Sequence, residues 1–142
     1  MDTIASRKLT REGAMKVLNT AVDRAHALNC HVSIAVVDDG GHLIAFTRSE
    51  KAELYSIAIA QTKAKSAALT RFPSGKKSPT GNERSDHHAL AITLAAGTDS
   101  FVTIEGGFPL FSEGEIVGAV AVSGAGAKDI EIAQTAAAIL GK

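Results

Sequence analysis

Apolar and polar positions recur along this chain with two different periods, and the period predicts whether each segment is a helix or a strand. Between Thr10 and about Asn29 the apolar residues recur every three or four positions, as in an amphipathic helix, and Thr10 can cap its first turn. That stripe consists of Ala14, Val17, Leu18, Ala21, Val22, Ala25 and Leu28. Residues 32–38 and 42–48 are two apolar runs joined by an Asp-Asp-Gly-Gly turn, a sequence that predicts a β-hairpin.

The middle of the chain starts with an alanine-rich segment. It predicts a helix from Glu53 to about Phe72, which Pro73 ends. Residues 73–82 hold two prolines and two glycines among polar residues, so a loop is predicted there. A short helix is then predicted over residues 83–96, closed by Gly97.

Three more strands and a last helix are predicted towards the C-terminus. Residues 101–104 (Phe-Val-Thr-Ile) predict a strand, and residues 105–127 predict a hairpin because two apolar halves flank the polar turn Ser-Glu-Gly-Glu. A helix is predicted over residues 127–140. Strands joined by tight turns are antiparallel. The order therefore predicts an α+β fold in which helices flank a central antiparallel five-stranded sheet, in one domain over residues 1–142.

Composition narrows the class of protein. Hydrophobic residues make up 45% and charged residues 21%, which is typical of a globular chain. Lys and Arg together number 15, as do Asp and Glu, so no basic face indicates nucleic acid or a membrane as a partner. A net charge near zero favours self-association, and a homo-oligomer is expected. Cys30 is the single cysteine and cannot form an internal disulfide, and no apolar run is long enough to span a membrane, so a cytoplasmic protein is expected.

Four blocks of residues, in this order and spacing, resemble one family. They are residues 36–48 (Val-Val-Asp-Asp-Gly-Gly-His-Leu-Ile-Ala-Phe-Thr-Arg), 56–68 (Ser-Ile-Ala-Ile-Ala-Gln-Thr-Lys-Ala-Lys-Ser-Ala-Ala), 106–110 (Gly-Gly-Phe-Pro-Leu) and 118–124 (Gly-Ala-Val-Ala-Val-Ser-Gly), with Asp129 and Ala133 following. The chain resembles the GlcG/HbpS family (DUF336, the haem-degrading domain), and it is similar to the C-terminal domain of PduO-type proteins. The resemblance implies a profilin-like sandwich, assembly as an octamer, and a link to haem, to corrinoids or to catabolic operons.

The densest group of ionisable side chains is Glu83-Arg84-Ser85-Asp86-His87-His88. If a helix begins here, Glu83 and His87 lie one turn apart on one face, as an acid and a base or as two metal ligands would. His87 or His88 can also serve as the axial ligand of a haem iron. Arg84 can bind a carboxylate. The alternative is an ordinary first helical turn with solvated histidines, and no third ligand is found at a spacing that would complete a metal site.

A second group of candidate ligand-binding residues is Lys63, Gly106, Gly107 and Phe108. The two glycines can expose backbone N–H donors to a carboxylate or propionate, with Phe108 as an apolar wall. The alternative is a tight bend that lets the hairpin pass a helix. Lys63 can offer a cation to a carboxylate or extend along apolar surface. The sequence has no glycine-rich phosphate loop, Cys-x-x-Cys pair or nucleophile elbow, which argues against nucleotide and acyl-transfer chemistry.

These observations predict a small-molecule-binding protein whose ligand is haem, a corrinoid or a related compound. The alternative is a small cofactor-independent enzyme or accessory factor of a catabolic pathway. In that case Glu83, His87 and His88 would move protons on a carboxylated metabolite, as in an isomerase or hydratase.

Overall fold

The computed structural model describes residues 1–141, which form eight regular elements and a terminal 3₁₀ turn. The elements are α1 (Arg11–Ala27), β1 (Ser33–Asp38), β2 (Leu43–Arg48), α2 (Ser56–Thr70), α3 (Asp86–Ala96), β3 (Gly107–Ser112), β4 (Glu115–Ser123) and α4 (Lys128–Ala137), with the 3₁₀ turn at Ala138–Leu140. The predicted α+β class, with an antiparallel sheet flanked by helices, is confirmed.

The sheet has strand order β2-β1-β4-β3, and every neighbouring pair is antiparallel. Successive side chains of a strand point to opposite faces, so each strand serves two cores. Ile34 and Val36 of β1 pack in the cluster that α1 and α4 cover. Ala35 and Val37 pack in a second cluster under α2. The molecule is therefore layered, with α1 and α4 on one face of the sheet and α2 on the other.

Small side chains allow α2 to lie close to the sheet. Four buried alanines of α2 meet buried alanines of β1 and β4. Gly107 of β3 marks the closest approach, because a Cβ atom built there would lie 2.6 Å from the backbone oxygen of Lys63. Only glycine fits at that distance, so the glycine at position 107 is a packing requirement.

The predicted five-stranded sheet is wrong by one strand, since residues 101–104 form none. Two serines on the α2 side take hydrogen-bonding groups of this segment instead. The Ser66 hydroxyl accepts from Val102 N at 3.3 Å and donates to its carbonyl oxygen at 3.4 Å, and Ser74 Oγ donates to Ile104 O at 2.8 Å. The apolar run therefore packs without a strand partner.

The predicted hairpins and the predicted first and last helices are confirmed, with small shifts of their ends. Thr10 caps α1 through its hydroxyl, which accepts from Gly13 N at 2.9 Å. The β3–β4 turn passes through Glu113 and Gly114 with φ of 50° and 81°, as a two-residue hairpin turn requires. In the first hairpin, Asp38 Oδ1 accepts from Gly40 N and His42 N, both at 2.9 Å, as a turn aspartate does.

No helix within residues 1–141 is long and apolar enough to cross a membrane.

Candidate functional site

Helix α3 differs from the other helices because none of its residues is buried. Ser85 caps it, with its hydroxyl accepting from His88 N at 3.1 Å. The sequence prediction started this helix at residue 83, three residues too early, because the Ser85 cap leaves Glu83 and Arg84 outside the helix. The helix is rich in apolar residues, yet it lies on the surface.

The exposed apolar residues of α3 lie on the same face as His87. Leu90, Ala91 and Leu94 follow His87 at three, four and seven positions, so the four side chains share one side of the helix. Leu90 is 58% exposed and Leu94 is 73% exposed, and His87 is exposed as well. We call these four residues the His87 stripe. It combines an imidazole with an apolar surface that the rest of the described chain leaves open.

Glu83 and His87 do not share a helix face, so the predicted acid–base pair one helical turn apart is not formed by α3. Glu83 pairs instead with Lys77 in an isolated antiparallel bridge, which folds residues 77–83 back on themselves. Ser78 N donates to Asn82 O at 2.8 Å inside this turn. The polar loop predicted over residues 73–82 thus contains an ordered turn.

Arg84 is committed to holding this turn in place. Its backbone N donates to Lys76 O at 2.8 Å, and its guanidinium donates to Lys77 O at 3.1 Å and to Gly75 O at 3.4 Å. The guanidinium also lies 5.2 Å from the ring centre of Phe101, a cation–π contact. Through these contacts Arg84 connects the turn to Phe101, which is a structural role. That Arg84 also binds a ligand stays a prediction.

A shallow depression of about 230 Å³ lies beside the start of α3. It is lined by Ser78, Asn82, Glu83, Arg84, Ser85 and His88. His88 thus faces the depression, whereas His87 is not part of its lining. Within residues 1–141 no group of three His, Cys, Asp or Glu residues could hold a metal ion. A haem needs only one axial side chain, which a single exposed histidine can supply.

Lys63 lies in a different environment, inside the protein. Its side chain is 1% exposed, and its Nζ donates to Val122 O at 2.9 Å and pairs with Asp129 Oδ2 at 3.2 Å. The other oxygen, Oδ1, of Asp129 accepts from Ala125 N at 2.8 Å. Burial lowers the pKa of the Lys63 ammonium, and the Asp129 carboxylate opposes that shift. Of the two alternatives for Lys63, the structure has the cation paired with a carboxylate, and the expectation that the side chain extends along apolar surface is wrong.

Gly106, Gly107 and Phe108 also have internal contacts. A Cβ atom on Gly106 would lie 2.9 Å from Lys63 Nζ, and Gly107 N donates to Ser74 Oγ at 2.9 Å. Phe108 points to the opposite face and packs half-buried against the cluster under α1 and α4. The structure therefore brings Lys63 together with Gly106 and Gly107 in a closed junction. Their predicted contact with a ligand has no support in this arrangement and stays a prediction.

Two features of these regions were missed by reasoning from the sequence. Asp129 was noted only as part of a family pattern, and nothing in local spacing connects it with Lys63, 66 residues earlier. The apolar stripe of α3 was visible as the spacing of Leu90 and Leu94 from His87. Its exposure was not visible, because apolar spacing ordinarily indicates a buried face.

Comparisons with known proteins agree with this architecture. The family model described as haem degrading protein HbpS-like matches residues 9–138. Protein GlcG of Escherichia coli strain K12 is 36% identical over 115 residues, which make up 81% of this chain and 81% of GlcG.

Two solved structures share the fold. The crystal structure of HbpS superposes with a TM-score of 0.76 at 30% identity, covering 99% of this chain and 96% of that one. The PduOC:heme complex superposes with a TM-score of 0.75 at 24% identity, covering 95% of this chain and 96% of that one. At that identity the likeness to PduOC concerns the fold alone.

Proposed function

The chain belongs to the HbpS-like family, and from this premise we propose that it binds haem on the exposed face of α3, with His87 as the axial ligand of the iron. The observation that carries the proposal is the His87 stripe, an exposed imidazole in line with Leu90 and Leu94 on a helix that no other element covers. Haem iron held by one histidine keeps a second axial position for another ligand.

The chemistry of the stripe matches the two kinds of surface that a haem presents. A porphyrin face is apolar, and it gains free energy when it covers apolar side chains, at about 25 cal/mol per Å² of surface removed from water. Leu90, Ala91 and Leu94 offer such a surface without any rearrangement of the core, since none of them is buried. An exposed imidazole on the same side supplies the metal bond.

The negative charges of a haem have candidate partners next to α3. Lys76 and Lys77 are exposed, and their segment is joined to residues 83 and 84 by the antiparallel bridge and by the bond from Arg84 N to Lys76 O. Each lysine can pair with a propionate through a charge-assisted hydrogen bond. We propose this pair as the propionate site.

His87 and His88 are neighbours that face different surroundings, which makes them a matched pair for a test. Hemin is titrated into the purified protein, and the Soret band of the complex is recorded for the wild type, His87→Ala and His88→Ala. We expect the shifted band of the wild type to be lost in His87→Ala and retained in His88→Ala. The His87 stripe predicts this difference, because only His87 is in line with the leucines.

Leu94→Gln and His26→Ala complete the experiment. Leu94→Gln keeps the imidazole and removes part of the apolar surface, so weaker hemin binding with an unchanged band position is expected. His26, exposed on α1, should be replaceable without effect. A wild-type spectrum identical to free hemin, or equal spectra of the wild type and His87→Ala, would refute the proposal. Hydroxocobalamin in the same titration tests the corrinoid alternative.

The alternative of an enzyme acting on a carboxylated metabolite is supported by the depression beside α3. Glu83 and His88 both line it, so an acid and a base have access to one small ligand there. Proton exchange from a candidate hydroxy acid into deuterated water, followed by NMR, would support this reading if it stops in both Glu83→Gln and His88→Ala. Exchange that continues in both variants would oppose it.

We also propose that the protein works as a homo-oligomer in the cytoplasm. The formal net charge is zero, which lowers the repulsion between copies. Leu54 and Tyr55, which precede α2, are 72% and 64% exposed and offer apolar contact area. Light scattering after size-exclusion chromatography distinguishes a monomer from the octamer that the family resemblance implies. A smaller assembly in Leu54→Glu would support this surface, and a monomeric wild type would oppose the assembly.

A further inference from the structure

A separate cavity of about 340 Å³ lies between the C-terminal end of α1 and the strands β1 and β2. Its size is within the range of sites for small ligands. Part of its lining belongs to the hydrophobic core, namely Ala25, Val32 and Ile34, all at most 4% exposed. These apolar residues form the floor of the cavity. The rest of the lining is mostly polar and includes Asn29, His31, Arg48 and Glu50.

The polar part of this lining includes the side chain of Arg48, a cation without a partner in the described chain. Arg48, the last residue of β2, is exposed, and within the described chain its guanidinium forms no ion pair, side-chain hydrogen bond or cation–π contact. By contrast, Arg84 and Arg24 are both engaged, Arg84 with carbonyl groups and Arg24 with Glu131. Arginine is well suited to bind a carboxylate, because its planar donors match the two oxygens.

The side-chain amide of Asn29, just after α1, is a second polar group of the lining without a hydrogen-bond partner in the described chain. Asn29 has a left-handed backbone with φ of 55°, and Cys30 N closes the turn by donating to Ala25 O at 2.8 Å. Glycine takes this position most often, and asparagine is the side chain that tolerates it best. Here the residue carries an amide that lines the cavity and makes no side-chain hydrogen bond among residues 1–141.

His31 is held at the cavity by a neighbouring side chain. Its Nδ1 lies 3.0 Å from Ser49 Oγ, which leaves Nε2 for a ligand. Glu50 is the one acidic residue of the lining, so the site does not carry a purely positive field. A ligand that fits has one carboxylate, a compact apolar body and no second negative charge.

We propose that this cavity binds a small monocarboxylate, with Arg48 on the carboxylate and the apolar body against Val32 and Ile34. Asn29 and His31 supply further hydrogen bonds at its mouth. The site is distinct from the proposed haem surface, because its lining shares no residue with α3 or with residues 76–84.

Benzoate and benzamide are suitable probes, because they have nearly the same shape and differ in charge. Each is titrated into uniformly ¹⁵N-labelled protein, and amide chemical shifts are followed by NMR. We expect benzoate to shift the amides of Val32, Thr47 and Arg48 in a saturable way, and benzamide to bind at least about tenfold more weakly. Arg48→Gln should weaken benzoate binding by a similar factor.

Arg11→Gln is the matched control, since Arg11 is an exposed arginine at the far end of α1 and does not line the cavity. It should leave benzoate binding unchanged, as should His87→Ala. The proposal is overturned if benzoate produces no saturable shift, if benzamide binds equally well, or if Arg48→Gln binds benzoate like the wild type. The last result would show that the apolar floor alone accounts for binding. Because benzoate binding and hemin binding are measured in separate titrations, failure of this site and failure of the haem surface are distinguishable.

Discussion

The junction around Lys63 and the surface around His87 place an ionisable group in opposite environments. Lys63 has 1% of its side chain exposed, with Asp129 and the Val122 carbonyl as partners. His87 is exposed on a helix without buried residues, in line with two leucines that are more than half exposed. A buried charge whose partners are all within the chain has a structural role. An uncommitted group beside an open apolar surface is available to a ligand.

The two alanine-rich helices behind these regions show the same contrast. Helix α2 buries seven of its residues against the sheet, including Lys63. Helix α3 contains apolar residues at a similar frequency and buries none. Composition therefore does not separate them. What separates them is packing on β1, β3 and β4, against which α2 is extensively packed and α3 is not.

The largest effect is expected from removing the buried cation. Lys63→Met should lower the free energy of unfolding by about 3–5 kcal/mol, because it leaves the Asp129 carboxylate buried without its counter-charge. Urea unfolding followed by circular dichroism measures the change. Lys65→Met on the same helix is the control, with an expected loss of at most about 1 kcal/mol, since its partner Asp99, at 3.8 Å, is 80% exposed and solvent screens the pair.

The double variant Lys63→Met/Asp129→Asn separates charge from packing. It should recover part of the loss, because the amide oxygen can still accept from Ala125 N while no buried charge remains. If Lys63→Met and Lys65→Met lower the free energy of unfolding equally, the buried Lys63 charge contributes no more to stability than the partly exposed Lys65 charge, and the contrast is refuted.

The next effect concerns the close approach at Gly107. Gly107→Ala should cost about 1–3 kcal/mol, because the new Cβ would lie 2.6 Å from a backbone oxygen of α2 that cannot move alone. Gly13→Ala in α1 is the control, where the nearest atom is the end of the flexible Leu9 side chain and helix propensity favours alanine. Denaturant midpoints of the two variants should shift in opposite directions.

The pH dependence of the Lys63 junction is expected to be smaller. Burial lowers the pKa of Lys63 in the folded protein, so between that pKa and the ordinary value of about 10.4 the unfolded chain binds more protons. Stability from this group therefore rises with pH in that window. The gap in unfolding free energy between wild type and Lys63→Met should therefore widen as the pH is raised towards the ordinary lysine pKa of about 10.4. A narrowing gap would mean that Asp129 outweighs burial.

The smallest effect on stability is expected at the His87 stripe. His87→Ala and Leu94→Gln should each change the unfolding free energy by no more than about 0.5 kcal/mol, because neither side chain is buried. The same variants should weaken hemin binding. If either variant lowers the unfolding free energy of the haem-free protein by more than this, the His87 stripe is already buried against another surface, such as a second copy of the chain.

Much of the local structure could be predicted from the sequence, because it depends on neighbouring residues. Thr10 as a cap, the Asp38 turn and the Glu113–Gly114 hairpin turn are decided by side chains and backbone angles within a few positions. The conformation of residues 101–104 could not be predicted from neighbouring residues. A β-branched run becomes a strand only if another strand is free beside it, and here Ser66 and Ser74 take its hydrogen-bonding groups.

Local patterns in the chain predicted the helices, the two hairpins and the family, and they indicated residues 83–88 as candidates for chemistry, which stays a prediction. The tertiary structure decided which marked residues are open. In the folded chain Asp129 pairs with Lys63, which is 66 positions away in sequence, and Gly106 and Gly107 pack against Lys63. The tertiary structure also left α3 uncovered and placed Arg48 at a cavity. The physical reason is that burial and charge pairing depend on long-range packing, which local spacing does not contain.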